Sequence, residues 1–191
     1  MSAAAYFYAL AGLLGVQVSV KGVNDNMLQG DTKFLDVLQK MDCQIKTLKD
    51  GTISIIGAKD GNLKGGFTID MSEFSDQALT LAAIAPYANS PITITGIGHI
   101  RLQECDRIKA IVNNLTLLGI KVEEGEDNVK IYNGIPKGGK VETYDDHRVA
   151  MSFALMGLRT ENIEILNPNC CKKTFKEYFN VLENVILQIE C

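Results

Sequence analysis

The chain has 191 residues, of which 46% are hydrophobic and 22% charged, and its formal net charge is −4. This composition is typical of a globular protein, and the acidic balance argues against nucleic acid as the main partner, because phosphate backbones require a broad basic surface. No apolar run reaches the ~20 residues that cross a bilayer, and the first residues lack the basic segment of a signal peptide, so no membrane association is expected. The five cysteines show neither metal-binding nor disulfide spacing, which favours reduced thiols and a cytoplasmic location.

The first third of the chain predicts a buried helix, a strand, an amphipathic helix and a hairpin. The first helix is apolar on every face, which is typical of an interior helix. Asp50-Gly51 between two alternating segments is a strong hairpin signal. The expected elements are a helix over 3–14, a strand over 16–20, an amphipathic helix after Gln29-Gly30-Asp31, and a hairpin over 44–56.

The same order of elements then recurs twice. In the second pass, Ser75 or Asp76 is expected to cap the apolar helix. The third pass stops before a closing hairpin. The second pass comprises a helix over 78–86, a strand over 92–95, an amphipathic helix and a hairpin over 120–131; the third comprises a helix over 149–158, a strand over 163–166 and an amphipathic helix starting near Lys173.

Matching strands lie roughly 70 residues apart, which indicates three repeated units. We expect a single α/β (α+β) domain over 1–191, with units at roughly 1–60, 61–135 and 136–191. Each unit would contain a buried helix, a strand, an amphipathic helix and a hairpin. The first unit lacks its opening strand and the third its hairpin. The chain is therefore expected to be part of a longer protein whose N-terminal segment completes the third unit.

The segment 101–107 joins a predicted strand to an amphipathic helix. Glu104 and Arg107 are three residues apart, which predicts neighbouring positions on a first helical turn. Unpaired amides at a helix start favour an anion there, with Arg107 as a clamp and Glu104 as a proton carrier. The alternative is a solvated helix start with a local Glu–Arg pair.

Other polar residues fall at the same structural position, directly before a helix or in its first turn. If the buried helices are parallel, their N-termini open on one face and predict an anion site with acid–base groups. Taken singly, Asp76 also fits an N-cap, His147 an orienting hydrogen-bonder and Lys173 a surface lysine. The residues concerned are Asp76, Glu104, Arg107, Asp146, His147, Arg148 and Lys173.

Several of these stretches resemble motifs of the 5-enolpyruvylshikimate-3-phosphate synthases, in the same order and at similar spacing. The resemblance covers essentially the whole chain and corresponds to the C-terminal part of the enzyme, somewhat under half of it. Segment 103–107, Gln-Glu-Cys-Asp-Arg, is similar to Lys-Glu-Thr/Ser-Asp-Arg; 143–151, Thr-Tyr-Asp-Asp-His-Arg-Val-Ala-Met, is similar to Thr-Tyr-Asn/Asp-Asp-His-Arg-Met-Ala-Met; 173–179 is similar to Lys-Thr-Phe-x-x-Tyr-Phe; and Gln29-Gly30-Asp31 and Asp76 complete the set.

The resemblance implies one globular domain of the two-domain enolpyruvyl transferase fold, with three units of βαβαββ type, parallel buried helices and outer sheets, and an incomplete third unit. The implied reaction belongs to the shikimate pathway of aromatic amino-acid biosynthesis. It transfers the enolpyruvyl group of phosphoenolpyruvate to the 5-hydroxyl of shikimate 3-phosphate, without a metal or organic cofactor, and is inhibited by glyphosate. The implied partners are these two substrates and the N-terminal half of the same enzyme, which would be monomeric.

The resemblance also implies roles for individual residues. Glu104 would protonate the methylene carbon, and Asp76 would bind the shikimate hydroxyls and remove the 5-hydroxyl proton. Gln103 and His99 stand where the family usually has Lys and Asn at the shikimate 3-phosphate site, and the loss of that cation removes a charge-assisted contact. Arg107, Arg148 and Lys173 would bind phosphoenolpyruvate, with Asp146 and His147 as supporting residues.

Two other functions remain open at this stage. A related enolpyruvyl transferase acts on UDP-N-acetylglucosamine, although the Glu-x-Asp-Arg and Asp-His-Arg stretches follow the shikimate pattern. A non-catalytic anion-binding domain of the same fold is the other alternative, and Gln103 is the feature in its favour. In either enzyme, the 191-residue chain alone is expected to be inactive, because half of the substrate clamp is absent.

Overall fold

A computed structural model describes residues 3–24 and 29–190, and the side chains of 22–24, 29–31 and 190 are not part of that description. The helices and strands that the sequence predicts follow one another in the predicted order, and two short strands that it does not assign, over 68–70 and 139–141, are added to them. The helices are α1 (Ala4–Leu14), α2 (Gln29–Lys40), α3 (Ala78–Ile84), α4 (Arg107–Leu117), α5 (His147–Ala154) and α6 (Tyr178–Glu190). The strands are β1 (Gln17–Asn24), β2 (Gln44–Thr47), β3 (Thr52–Ile56), β4 (Thr68–Asp70), β5 (Ile92–Thr95), β6 (Val122–Glu124), β7 (Val129–Ile131), β8 (Gly139–Val141) and β9 (Ile163–Ile165).

The middle of the chain contains one βαβαββ unit, formed by β4, α3, β5, α4, β6 and β7. Its four strands lie in the order β4-β5-β7-β6. The first pair is parallel, as expected when a helix connects two strands, and the other two pairs are antiparallel. The sequence analysis did not assign β4, which is only three residues long.

The flanking parts of the chain repeat portions of this unit. Strands β1, β3 and β2 form a three-stranded antiparallel sheet in the same order as β5, β7 and β6. Strands β8 and β9 form a parallel pair that corresponds to β4 and β5. The expected mixed α/β class is therefore confirmed.

The core is built around the apolar helices α1, α3 and α5. Helix α1 contains no charged residue, and it is buried from Ala4 to Leu13. It packs against α2 and α3, and α3 packs against α5. Their small residues let these helices approach closely, while the charged faces of the sheets and of α2, α4 and α6 remain outside. Within the described ranges, no helix is long and apolar enough to cross a bilayer.

Two helix starts differ from the sequence predictions. Helix α4 begins at Arg107, and Asp106 caps it by accepting a hydrogen bond from the Lys109 amide. Glu104 therefore precedes the helix, and the prediction that it shares a first turn with Arg107 is wrong. Helix α6 begins at Tyr178 rather than near Lys173, because Pro168–Lys173 forms a separate 3-10 turn. Helix α2 starts at Gln29, but the side chains of Gln29-Gly30-Asp31 lie outside the described residues.

The contact between α1 and the end of β3 depends on the absence of a side chain at Gly57. A Cβ there would collide with the carbonyl group of Ala11 in α1 and approach the Cα of Gly15 to 2.9 Å. Both obstacles are backbone, so the collision cannot be relieved by a rotamer change. We expect Gly57→Ala to lower the free energy of unfolding by about 2 kcal/mol or more, as measured by urea denaturation.

Gly157→Ala is the matched control, since its Cβ would meet nothing closer than the Ile163 Cβ at 3.8 Å. This variant should stay within about 0.5 kcal/mol of the parent protein. Equal stabilities of the two variants would contradict the proposed close contact.

Candidate active site

The starts of three helices converge through ion pairs. Arg107, the first residue of α4, donates from Nε to Asp146 Oδ2 at 2.8 Å and from Nη1 to Asp76 Oδ1 at 3.2 Å. Arg148, in the first turn of α5, lies with Nη2 2.9 Å from Asp76 Oδ2. Asp76 belongs to the 3-10 turn that leads into α3. The helix starts therefore meet at one place, as the repeat predicted.

The Arg107–Asp146 pair is the buried part of this network. Arg107 is 2% exposed and Asp146 is fully buried. Burial alone would raise the pKa of the Asp146 carboxyl, but the hydrogen bond and charge of Arg107 outweigh it and lower that pKa. Asp146 also caps α5 by accepting a hydrogen bond from the Arg148 amide at 2.8 Å. One carboxylate thus ties α4 to α5 and fixes the start of α5.

The Cys105 thiol completes the surroundings of Asp146. Its Sγ lies 3.6 Å from Asp146 Oδ2. Burial, followed by the charge of Asp146, raises the pKa of Cys105 to about 12. The neutral thiol is therefore a hydrogen-bond donor to the carboxylate rather than a nucleophile.

Asp76 accepts a hydrogen bond from Arg107 and forms an ion pair with Arg148 instead of capping a helix. The 3-10 turn and α3 begin after Phe74 and Gln77, and neither of these residues makes a side-chain cap. The prediction that Ser75 or Asp76 caps the helix is therefore wrong. The side chain of Asp76 remains about half exposed, so part of it faces solvent.

A second group of polar residues surrounds an adjacent cavity of about 300 Å³. His147 Nδ1 and Glu104 Oε2 lie 2.9 Å apart at its wall. Lys173 lies on the same cavity, so a carboxylate, an imidazole and an ammonium group face one space. The remaining lining residues are Tyr144, Asp145, Cys170 and Thr174. A larger cavity of about 770 Å³ lies beside the end of α1 and β3, and it contains none of the predicted site residues.

The two predicted substrate-binding residues of the preceding loop, His99 and Gln103, are not among the residues that line the cavity of about 300 Å³. The Nε2 atom of His99 lies 2.7 Å from the hydroxyl of Ser75, the residue that precedes Asp76 in the sequence. Gln103 is exposed to solvent. His99 lies within the 3-10 turn Gly98–Leu102, and Gln103 follows this turn, ahead of the α4 cap.

Sequence reasoning missed the residue that anchors this loop. Arg101 donates to Asp106 Oδ2 at 3.1 Å and to Glu124 Oε1 at 2.9 Å, and also to the backbone oxygens of Gly125 and Glu126. Three of these partners belong to the β6–β7 hairpin. Of these partners, only Asp106 is close to Arg101 in the sequence. No local sequence pattern could therefore predict the contacts with the hairpin.

The donor atoms of Glu104, Asp146 and His147 lie within 4.8 Å of one another, close enough to surround a metal ion. Both oxygens of Asp146 already accept hydrogen bonds from Arg107, and Nδ1 of His147 is engaged by Glu104. A cation there would also be repelled by the guanidinium groups. The hydrogen bonds and charges therefore fit an ion-paired network better than a metal site.

The free energy of folding depends on the buried ion pair. Asp146→Asn keeps the size of the side chain but removes the closest counter-charge of the buried Arg107, which leaves only the half-exposed Asp76 as its ionic partner. We expect a loss of about 3 kcal/mol in the free energy of unfolding, measured by urea denaturation near pH 7. Asp36→Asn, which changes an exposed carboxylate on α2, is the matched control and should have little effect.

The pH dependence provides a second measurement of the same pair. Because the folded pKa of Asp146 is lowered, its stabilising contribution is present above the unfolded value of about 4 and is lost as the pH falls through the folded value. The parent protein should thus lose stability below about pH 4 more steeply than Asp146→Asn. Parallel acid curves for the two proteins would contradict the assignment.

The amino-acid sequence of the chain is similar to those of several known proteins. The family described as EPSP synthase (3-phosphoshikimate 1-carboxyvinyltransferase) matches residues 1–182. A 3-phosphoshikimate 1-carboxyvinyltransferase from Nostoc punctiforme is 48% identical over 178 residues, which are 93% of this chain and 41% of the relative. The 3-phosphoshikimate 1-carboxyvinyltransferase 2 of Halalkalibacterium halodurans is 45% identical over 98% of this chain and 42% of its own length.

A solved structure shows the same fold at a lower identity. The EPSP synthase from Acinetobacter baumannii superposes with a TM-score of 0.79 and 27% identity, over 96% of this chain and 45% of that chain. The chain thus spans about two-fifths of the length of these curated relatives. On the extent of the family match and the identity to these relatives, the chain belongs to the EPSP synthase family.

Proposed function

We propose that this chain is the C-terminal lobe of an enzyme that transfers the enolpyruvyl group of phosphoenolpyruvate to the 5-hydroxyl of shikimate 3-phosphate. The observation that supports it most directly is the meeting of three helix starts with Asp76, Arg107 and Arg148 beside a cavity that Glu104 and Lys173 line. Such an arrangement combines anion binding with groups that give and take protons.

In the proposed reaction, Arg148 and Lys173 bind the anionic groups of phosphoenolpyruvate. Asp76 removes the proton of the 5-hydroxyl, whose oxygen forms a bond to C2 of phosphoenolpyruvate, while Glu104 adds a proton to C3. The resulting tetrahedral adduct then loses a proton from C3 and inorganic phosphate from C2, which restores the double bond. His147, 2.9 Å from Glu104, orients that carboxyl for both proton transfers.

Arg107 has a more indirect role in this proposal than a substrate clamp. Its guanidinium is buried and directed to Asp146 and Asp76. It therefore holds the proposed base, Asp76, in place and adds positive potential next to it. Arg148, whose side chain is 17% exposed, is better situated to contact a substrate directly.

The complete site requires a second lobe. We infer that the described units form one domain of a two-domain enzyme, in which the N-terminal half supplies the remaining substrate contacts. The same proposal includes a monomeric full-length enzyme and a cytoplasmic location. The free cysteines Cys43, Cys105, Cys170 and Cys171 support a reducing environment.

The proposed proton transfer by Glu104 predicts a specific loss of turnover. In the full-length protein, Glu104→Gln should lower kcat about 100-fold or more, because the amide cannot cycle a proton. The measurement is phosphate release from phosphoenolpyruvate with shikimate 3-phosphate as the acceptor. Glu126→Gln, an exposed change in the β6–β7 turn, is the control and should retain activity.

Acceptor choice is tested in the same assay. Turnover with UDP-N-acetylglucosamine in place of shikimate 3-phosphate would replace the proposed acceptor. A full-length protein that binds phosphoenolpyruvate but turns over neither acceptor would instead indicate a non-catalytic anion-binding domain, for which the exposed Gln103 is the favouring feature.

A separate prediction concerns the chain alone. We expect the 191-residue chain to show no turnover, because one lobe positions only part of two anionic substrates. Adding the N-terminal half as a separate polypeptide should restore measurable activity. Turnover by the isolated chain would contradict the division of the site between two lobes.

A further inference from the structure

Tyr6, near the start of α1, carries a buried hydroxyl group for which the described residues provide no hydrogen-bond partner. The residue is 1% exposed, and its ring packs edge-on against Tyr178 with 5.6 Å between the centroids. Packing therefore accounts for the ring but not for the hydroxyl. A buried hydroxyl without a partner costs stability, which a phenylalanine at this position would avoid.

The charged group that acts most strongly on this hydroxyl is the neighbouring guanidinium of Arg148. The two side chains line one small cavity of about 10 Å³ together with His147 and Thr174. Burial raises the pKa of Tyr6 to about 12, while the neighbouring Arg148 acts in the opposite direction. The phenol is therefore neutral at physiological pH, and its oxygen is available as an acceptor beside Arg148.

In the resting protein, Arg148 is paired with Asp76, and its Nη2 lies 2.9 Å from Asp76 Oδ2. An anionic substrate competes with Asp76 for this guanidinium, because both carry negative charge. A neutral hydroxyl can hold the guanidinium by a hydrogen bond without cancelling its charge. Arg148 held by Tyr6 therefore offers its full charge to an anion, whereas Arg148 held by Asp76 does not.

We propose that Tyr6 is a positioning residue, whose hydroxyl accepts a hydrogen bond from Arg148 when an anionic substrate draws Arg148 away from Asp76. This proposal rests on the proposed function, since phosphoenolpyruvate is the anion in question. It also explains why a buried hydroxyl without a hydrogen-bond partner among the described residues lies next to a site residue.

Tyr178 provides a matched control within the same aromatic cluster. It is as deeply buried as Tyr6, but its hydroxyl donates a hydrogen bond to the backbone oxygen of Met151 at 2.8 Å. Tyr6→Phe and Tyr178→Phe each remove one hydroxyl and keep the ring. Thermal unfolding and steady-state kinetics of the full-length protein, together with calorimetric titration of phosphoenolpyruvate, then compare the two.

We expect Tyr6→Phe to leave the melting temperature unchanged or raise it, to raise KM for phosphoenolpyruvate about tenfold, and to leave KM for shikimate 3-phosphate within about twofold, since a hydrogen bond to a charged group is lost only in the bound state. Tyr178→Phe should lower the melting temperature and leave both KM values within about twofold. Unchanged affinity for phosphoenolpyruvate in Tyr6→Phe, or a loss of stability like that of Tyr178→Phe, would overturn the proposal.

The two proposals fail in different ways. An unmodified full-length protein that binds phosphoenolpyruvate without turnover would refute the proposed function, and the titration alone would then decide the role of Tyr6. A protein with normal turnover whose titration and KM are unaffected by Tyr6→Phe would refute only the role of Tyr6. Absence of phosphoenolpyruvate binding in the unmodified protein would refute both.

Discussion

The site depends on the buried ion pair between Arg107 and Asp146. Neither group has access to enough water to be solvated, so each requires the other, and the pair brings the starts of α4 and α5 into a fixed relation. Because Arg107 also reaches Asp76, the same constraint extends to the turn before α3. A disturbance at this pair would therefore move two carboxylates and three helix starts together.

The charges of the site are nearly balanced before any ligand binds. Arg107, Arg148 and Lys173 supply three positive charges, and Asp76, Glu104, Asp145 and Asp146 supply four negative charges. Affinity for an anion therefore cannot come from a simple excess of positive charge. Under the proposed function, this affinity comes from an exchange of partners, in which a substrate replaces a carboxylate at a partly exposed arginine, together with the positive ends of the helices. The buried Arg107 has less freedom for such an exchange than Arg148.

The order of elements could be predicted from the sequence because each element carries its own local signal. The all-apolar α1 and the Asp50-Gly51 hairpin are examples in which periodicity or turn chemistry decides the structure. The errors arose where distant residues compete with local preferences. Asp76 has the right chemistry for a helix cap, but two arginines from other helices bind its carboxylate. Glu104 lies in an irregular loop rather than in the expected helical turn, because Arg101 at the start of this loop bonds to the β6–β7 hairpin.

The repeat explains why chemically different residues can meet at one site. Each unit has a buried helix whose start points to the same region, and each contributes a different group there: Tyr6 from α1, Asp76 from the turn before α3 and Arg148 from α5. The carboxylate of Asp76, the guanidinium of Arg148 and the hydroxyl of Tyr6 can therefore share one region although they come from three separate segments of the chain. Tyr6 was missed in the sequence because an aromatic residue in an apolar helix has the same pattern whether its hydroxyl is used or not. Only the three-dimensional comparison with Tyr178, whose hydroxyl has a partner, separates the two cases.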